Sequence, residues 1–147
     1  MAALPDINVL LPLTYGAHVH HAAAVAWLDT IQNDGELVLC RVSQLGLLHL
    51  LNNPVAMGED VQSGMEVWET WGALLVDQRF RFAGEPTGFD ARFRALSATF
   101  ARQPKRWQDA YLAAFALAMD IEVVTFDAGF RSFPNLRHRI LASRGPT

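Results

Sequence analysis

The 147-residue chain has a single cysteine, Cys40. No disulfide can form within it, and a reducing compartment is expected. Cys40 stands in an apolar run and reads as a small core residue rather than a nucleophile. No stretch approaches the roughly 18 uninterrupted apolar residues of a membrane-spanning helix. The opening MAALPDINVLLPL lacks a basic n-region and is interrupted by Asp6, so it does not read as a secretory signal. A cytoplasmic protein is therefore expected. Charged residues are scarce at 18%, against a usual share of about a quarter. So lean a surface suggests that a partner, or a second copy of the chain, covers part of it. The net charge of −3 argues against wholesale electrostatic wrapping of nucleic acid. Lysine is nearly absent, Lys105 being the only one among 12 basic residues. Arginine suits bidentate recognition of phosphate or carboxylate.

Repeats and low-complexity tracts are also missing, and one domain over residues 1–147 is expected. A short strand is predicted at 2–6, with Pro5 near its end, where a proline is tolerated. A turn of helix follows from Asn8. Residues 18–35 are Ala-rich and close on Gly35, which predicts a helix. ELVLCRV (36–42) predicts a strand, and Ser43 stands as N-cap of a helix ended by Asn53-Pro54. An amphipathic helix is predicted over 60–78, a short strand at 80–82 and a helix over 88–103. A buried Ala-rich helix over 107–119, a β-branched strand at 121–126 and a last strand at 138–141 complete the pattern. Strands alternating with helices predict an α/β fold, with a mostly parallel central sheet and helices on both faces. In such sheets ligands bind outside the carboxyl ends of the strands.

Three carboxylates fall on that edge. Asp6 ends the first predicted strand, and Asp127 follows the strand at 121–126. Asp109 lies in the first turn of the 107–119 helix, where the helix dipole favours a negative charge. The crossover from that helix into its strand brings Asp109 to the same edge. Converging carboxylates repel one another and persist together mainly around a divalent cation. An all-oxygen ligand set selects a hard ion such as Mg²⁺ or Mn²⁺. Each acid also has a purely structural role open to it. Asp6 can cap the Asn8 turn, Asp109 can complement a helix end, and Asp127 can start the turn Asp-Ala-Gly.

Four blocks, PDINVLLPL, VSQLGLLHLLNNPVAMG, RWQDAYLAAFALA and VVTFDAGF, resemble those of PIN domains. They look most like the VapC-type toxins of type II toxin–antitoxin systems, nearly end to end. The resemblance implies a PIN-like α/β fold around a parallel sheet, Mg²⁺-dependent cleavage of RNA, and inhibition by a cognate antitoxin. It places Asp6 and Asp109 as metal holders and Asp127 as the third acid. Two positions depart from the pattern. Gly46 stands where many relatives have a Glu, and Gly129 where many have a further acid. A site with three acids should hold a second metal less well.

Asn8 is placed to orient a metal-bound water or to hydrogen-bond Asp109, with a turn role as the alternative. Ser43 and Thr125 are small hydroxyls at predicted strand ends, within reach of a metal water or a phosphate. Arg102, Lys105 and Arg106 are candidates for guiding RNA phosphates, against the plain alternative of a solvated helix face. His18, His20 and His21 invite a metal reading, yet no further ligand completes a site, so structural or solvent roles are expected. His49 is expected on a half-buried surface. An antitoxin tail and a homodimer partner would cover apolar surface. Two rival readings remain at this level: a PIN-like interaction module with little or no catalysis, and an RNA-processing nuclease without an antitoxin.

Overall fold

The computed structural model describes residues 2–142. In chain order the elements are β1 (Ala3–Pro5), α1 (Ile7–Thr14), α2 (His21–Leu28), β2 (Leu37–Leu39), α3 (Arg41–Leu51) and α4 (Pro54–Met57). Then come α5 (Gly64–Val76), β3 (Phe80–Phe82), α6 (Phe89–Ser97), α7 (Trp107–Met119), β4 (Glu122–Thr125) and β5 (His138–Ile140). The five strands form one sheet in the order β3-β2-β1-β4-β5, and every pair is parallel. β1 is therefore central, with its neighbour β4 in the register Leu4↔Val123 and Pro5↔Val124. Pro5 has no N–H for the ladder, but Asp6 N resumes it at once by donating to Val124 O at 2.8 Å.

Alternation along the strands divides the core in two. Leu4, Val38 and Val123 face the helices α6 and α7. Ala3, Leu37, Leu39 and Val124 face α1, α3 and α5. Four fully buried alanines of α7, at 110, 113, 114 and 116, leave room for close packing against the sheet. Phe89 and Phe93 of α6 meet Tyr111 of α7 with ring centroids 4.7 and 5.8 Å apart. Such pairs add about 0.5–1.5 kcal/mol beyond the area they bury.

Several boundaries differ from expectation for local reasons. The helix expected over 18–35 covers only His21–Leu28, because Thr30 turns back on it, its N–H and hydroxyl both donating to Trp27 O. Ser43 does not cap α3. The helix starts at Arg41 with Cys40 at the cap position, and buried Ser43 pairs with Cys40 Sγ at 3.2 Å instead. The turn expected at Asn8 grows into the eight-residue α1. The helix over 88–103 stops at Ser97. The one over 60–78 begins at Gly64, after a reciprocal capping box of Ser63 and Glu66.

Where α3 crosses α1, a β-carbon on Gly46 would stand 2.2 Å from Ile7 Cδ1 and 2.9 Å from Ile7 Cγ1. Gly46→Ala should gain about 1 kcal/mol in helix propensity yet lose more to overpacking. A net loss of roughly 1–2 kcal/mol in urea denaturation is expected. Adding Ile7→Val, which removes Cδ1, should recover part of it.

Candidate active site

β1 delivers the chain to the carboxyl edge of the sheet at Asp6, which is only 7% exposed. One carboxylate oxygen accepts the Ile7 N–H at 2.7 Å and so caps α1. The other accepts the Thr125 hydroxyl at 2.8 Å. Burial pushes the Asp6 carboxyl above its ordinary value. The bonds from Thr125 and Ile7 pull it down, and the nearby Asp127 charge pushes it up again.

Thr125 ends β4 next door and is fully buried. Its hydroxyl donates to Asp6, accepts Asn8 Nδ2 at 3.1 Å and accepts the Asp127 N–H at 2.9 Å. Asn8 uses its carbonyl oxygen on the Phe126 N–H at 3.2 Å. Asn8 and Thr125 therefore knit the ends of β1 and β4 together. Asn8 bonds Thr125 and Phe126 rather than Asp109 while still lining the cleft, and Thr125 has no exposed surface to offer a substrate.

Asp127 is exposed and caps the 3-10 turn Ala128–Ser132, accepting the Gly129 N–H at 2.8 Å. A β-carbon on Gly129 would stand 3.1 Å from Asp127 Oδ1, so a side chain there would press on that carboxylate. Asp109 is half-buried in the first turn of α7. Its carboxyl is pushed up to about 6, first by burial and then by the charges of Asp6 and Asp127, while Arg106 pulls it down. All three carboxylates line one cleft of about 1000 Å³.

The space beside Gly46 is filled by Ile7 and, at 3.1 Å, by Gln108 Nε2. An apolar side chain thus stands where an acid was expected. Arg102, Lys105 and Arg106 are not among the cleft residues. Arg106 packs over the rings of Phe100 and Phe133, at 5.2 and 4.7 Å, and donates to the Ser132 hydroxyl. Ser43 is sealed in the core. Three residues without a functional role in the sequence do line the cleft: His18, His20 and His49.

Asp6, Asp109 and Asp127 offer oxygen donors only, the chemistry that a hard divalent cation prefers. Among the described residues, no three His, Cys, Asp or Glu stand in an arrangement that could hold a metal ion.

A PIN domain family model matches residues 3–136. The chain belongs to the PIN domain family. Over 143 residues it is 43% identical to Ribonuclease VapC41 of Mycobacterium tuberculosis (strain ATCC 25618 / H37Rv), across 95% of this chain and 98% of the relative. Its fold is similar to the crystal structure of Mycobacterium tuberculosis VapC20, described as a Sarcin-Ricin loop cleaving toxin, with a TM-score of 0.66 at 12% identity. That match covers 92% of this chain and 99% of the other. VapBC2 from Rickettsia felis, bound to a DNA fragment from their promoter, gives 0.67 at 12% identity, over 97% and 100%. At such identities the structural likeness concerns the fold alone. Within the PIN fold, Asp6 and Asp127 follow strand ends and Asp109 lies at a helix start.

The raised Asp109 carboxyl has a stability consequence. Below the unfolded value of 3.8 both states are protonated and there is no penalty. Between 3.8 and about 6 the unfolded chain ionises first, so the penalty grows, and above 6 it is complete. Asp109 is partly exposed, and solvent screening reduces the effect to about 1 kcal/mol. In metal-free buffer, Asp109→Asn should raise the Tm by about 2–4 °C above pH 6. Thermal melts near ~pH 3.5 should show no gain.

Proposed function

We propose that the chain is a metal-dependent endoribonuclease, the toxin of a toxin–antitoxin pair. One observation carries this reading: three carboxylates from two strand ends and one helix start share a single cleft. Its similarity to proteins named ribonucleases, and to the solved VapBC assembly, supports it. Asp6, Asp109 and Asp127 would hold Mg²⁺ or Mn²⁺, which supplies charge neutralisation at the phosphodiester and acidifies water.

The chain's own contribution is placement. Asp6 is fixed by Thr125 and Ile7, so its free lone pairs point where the fold sets them. Asp109 and Asp127 approach from α7 and from the end of β4. Water attacks phosphorus in line, the bond to the departing ribose oxygen breaks, and that oxygen takes up a proton. Preorganised charge aimed at the reacting group is the largest rate contribution such a site offers.

The antitoxin belongs to the same reading. Met65, Trp68 and Val76 lie exposed along α5, with Leu45 exposed on α3. A cognate antitoxin or a second copy of the chain would cover such apolar surface.

Incubating an RNA oligonucleotide with Mg²⁺ or Mn²⁺ should give cleavage that EDTA abolishes. Asp109→Asn should lower the rate by about 10²–10³-fold. An undiminished rate in that variant overturns the assignment. A parent protein that binds RNA without cutting it would favour the interaction-module reading.

A further inference from the structure

The cleft has a second wall. It carries His18 and His20, from the segment joining α1 to α2, and His49 from α3. No Lys or Arg is among the residues lining it. An RNA strand brings negative charge to a place that already holds three carboxylates, so its phosphates need hydrogen-bond donors. The side-chain donors available are the three imidazoles and the amides of Asn8 and Gln108. The Asn8 amide is already committed to Thr125.

His18 is prepared for that role. Its Nδ1 lies 3.0 Å from the backbone N of His20. A backbone N–H can only donate, so Nδ1 is the acceptor and the proton of the neutral ring must sit on Nε2. Burial, and then the charges of His20 and His21, hold the His18 ring below its ordinary pKa, which keeps this neutral tautomer at physiological pH. His20 stacks on Phe126 with ring centroids 4.4 Å apart and planes 15° from parallel. Phe126 lies between Thr125 and Asp127, so the stack ties the imidazole wall to the acid-bearing strand end. His20 Nδ1 is buried without a hydrogen-bond partner.

We propose that His18, with His20 and His49 beside it, forms a backbone subsite that donates hydrogen bonds to RNA phosphate oxygens next to the scissile bond. The subsite rests on the ribonuclease reading. It replaces the basic side chains at 102, 105 and 106 that the sequence suggested for this task.

The test compares His18→Phe, which keeps ring size without a donor, with His18→Gln, which restores an amide donor near the Nε2 position. His49→Ala, at an exposed position on α3, leaves packing undisturbed and guards against a folding artefact. Each is assayed for KM and kcat on an RNA oligonucleotide with Mn²⁺. RNA binding is followed by fluorescence anisotropy in EDTA, and Mn²⁺ binding by calorimetry. His18→Phe should raise KM and the RNA Kd by about tenfold, with kcat and Mn²⁺ affinity little changed. His18→Gln should recover much of the loss, His49→Ala should weaken RNA binding by a few-fold, and Lys105→Gln should match the parent. A parent enzyme that cleaves RNA while His18→Phe and His49→Ala keep its KM overturns the subsite alone. A parent that neither cleaves nor binds RNA overturns the ribonuclease reading and the subsite with it. Loss of Mn²⁺ affinity or of antitoxin binding, with RNA binding intact, would assign the wall to a metal or to a polypeptide and also overturn the proposal.

Discussion

The hydroxyl of Thr125 has one proton to donate and two lone pairs, and all three are used to hold the site. The proton goes to Asp6, and the lone pairs take the Asn8 amide and the Asp127 N–H. Valine has no polar atom, and serine, with the same hydroxyl valence, lacks the branched methyl that favours a strand. The arrangement exists only because β1 and β4 are parallel neighbours with Pro5 opposite Val124. A slip of one residue would turn Thr125 to the opposite face of the sheet and break its bonds to Asp6 and Asn8 together. The geometry of the candidate site and the strand register are thus one constraint.

Bringing three carboxylates together costs stability, and the fold offsets part of that cost with backbone dipoles. Asp6 caps α1, Asp109 lies in the first turn of α7, and Asp127 caps the 3-10 turn after β4. Each acid therefore faces the positive end of a helical segment, worth about 0.3–1 kcal/mol apiece where the segment is long enough to matter. The compensation is incomplete, as the raised carboxyls of Asp6 and Asp109 show. On the proposed metal-dependent reading, a divalent cation would relieve that remaining strain, and the stability withheld from the metal-free protein would reappear as metal affinity.

The acids were legible in the sequence because they sit at boundaries. Hydrophobic alternation ends at Asp6 and Asp127, and an Ala-rich helix begins just before Asp109, so one-dimensional position stood for position on the sheet edge. For Asp6 and Asp127 the sequence offered a cap or a cleft residue as alternatives, and in the structure each is both. The parallel sheet was legible from alternation of strands and helices. Ser43 was misread because Cys40 is a poor cap by type, yet the buried end of β2 forces the chain into a helix at once. The histidines were opaque for a different reason. Residues 15–20 have no periodicity, and their course depends on the His20–Phe126 stack across about a hundred residues of sequence. Such long-range contacts leave no mark in a local pattern.

The placement of arginine completes the electrostatic picture. Arg106 is near enough to Asp109 to lower its pKa, yet it lies over Phe100 and Phe133 rather than in the cleft. Arg41, at the start of α3, is likewise drawn aside, over Phe82 at 4.9 Å and onto Gln44. Cation–π contacts of this kind are worth about 0.5–1 kcal/mol each at exposed sites. That is enough to bias a flexible side chain between two resting places. A guanidinium inside the cleft would pair with the carboxylates bidentately and occupy the oxygens a divalent cation needs. The rings of Phe82, Phe100 and Phe133, none of which lines the cleft, hold the Arg41 and Arg106 guanidinium groups. Imidazoles and amides can face a phosphate in the same cleft without claiming the acids, because a neutral imidazole donates one hydrogen bond and carries no charge. On the proposed reading the cleft would separate two demands that a single arginine would confound: carboxylates kept free for a cation, and donors kept free for a phosphate.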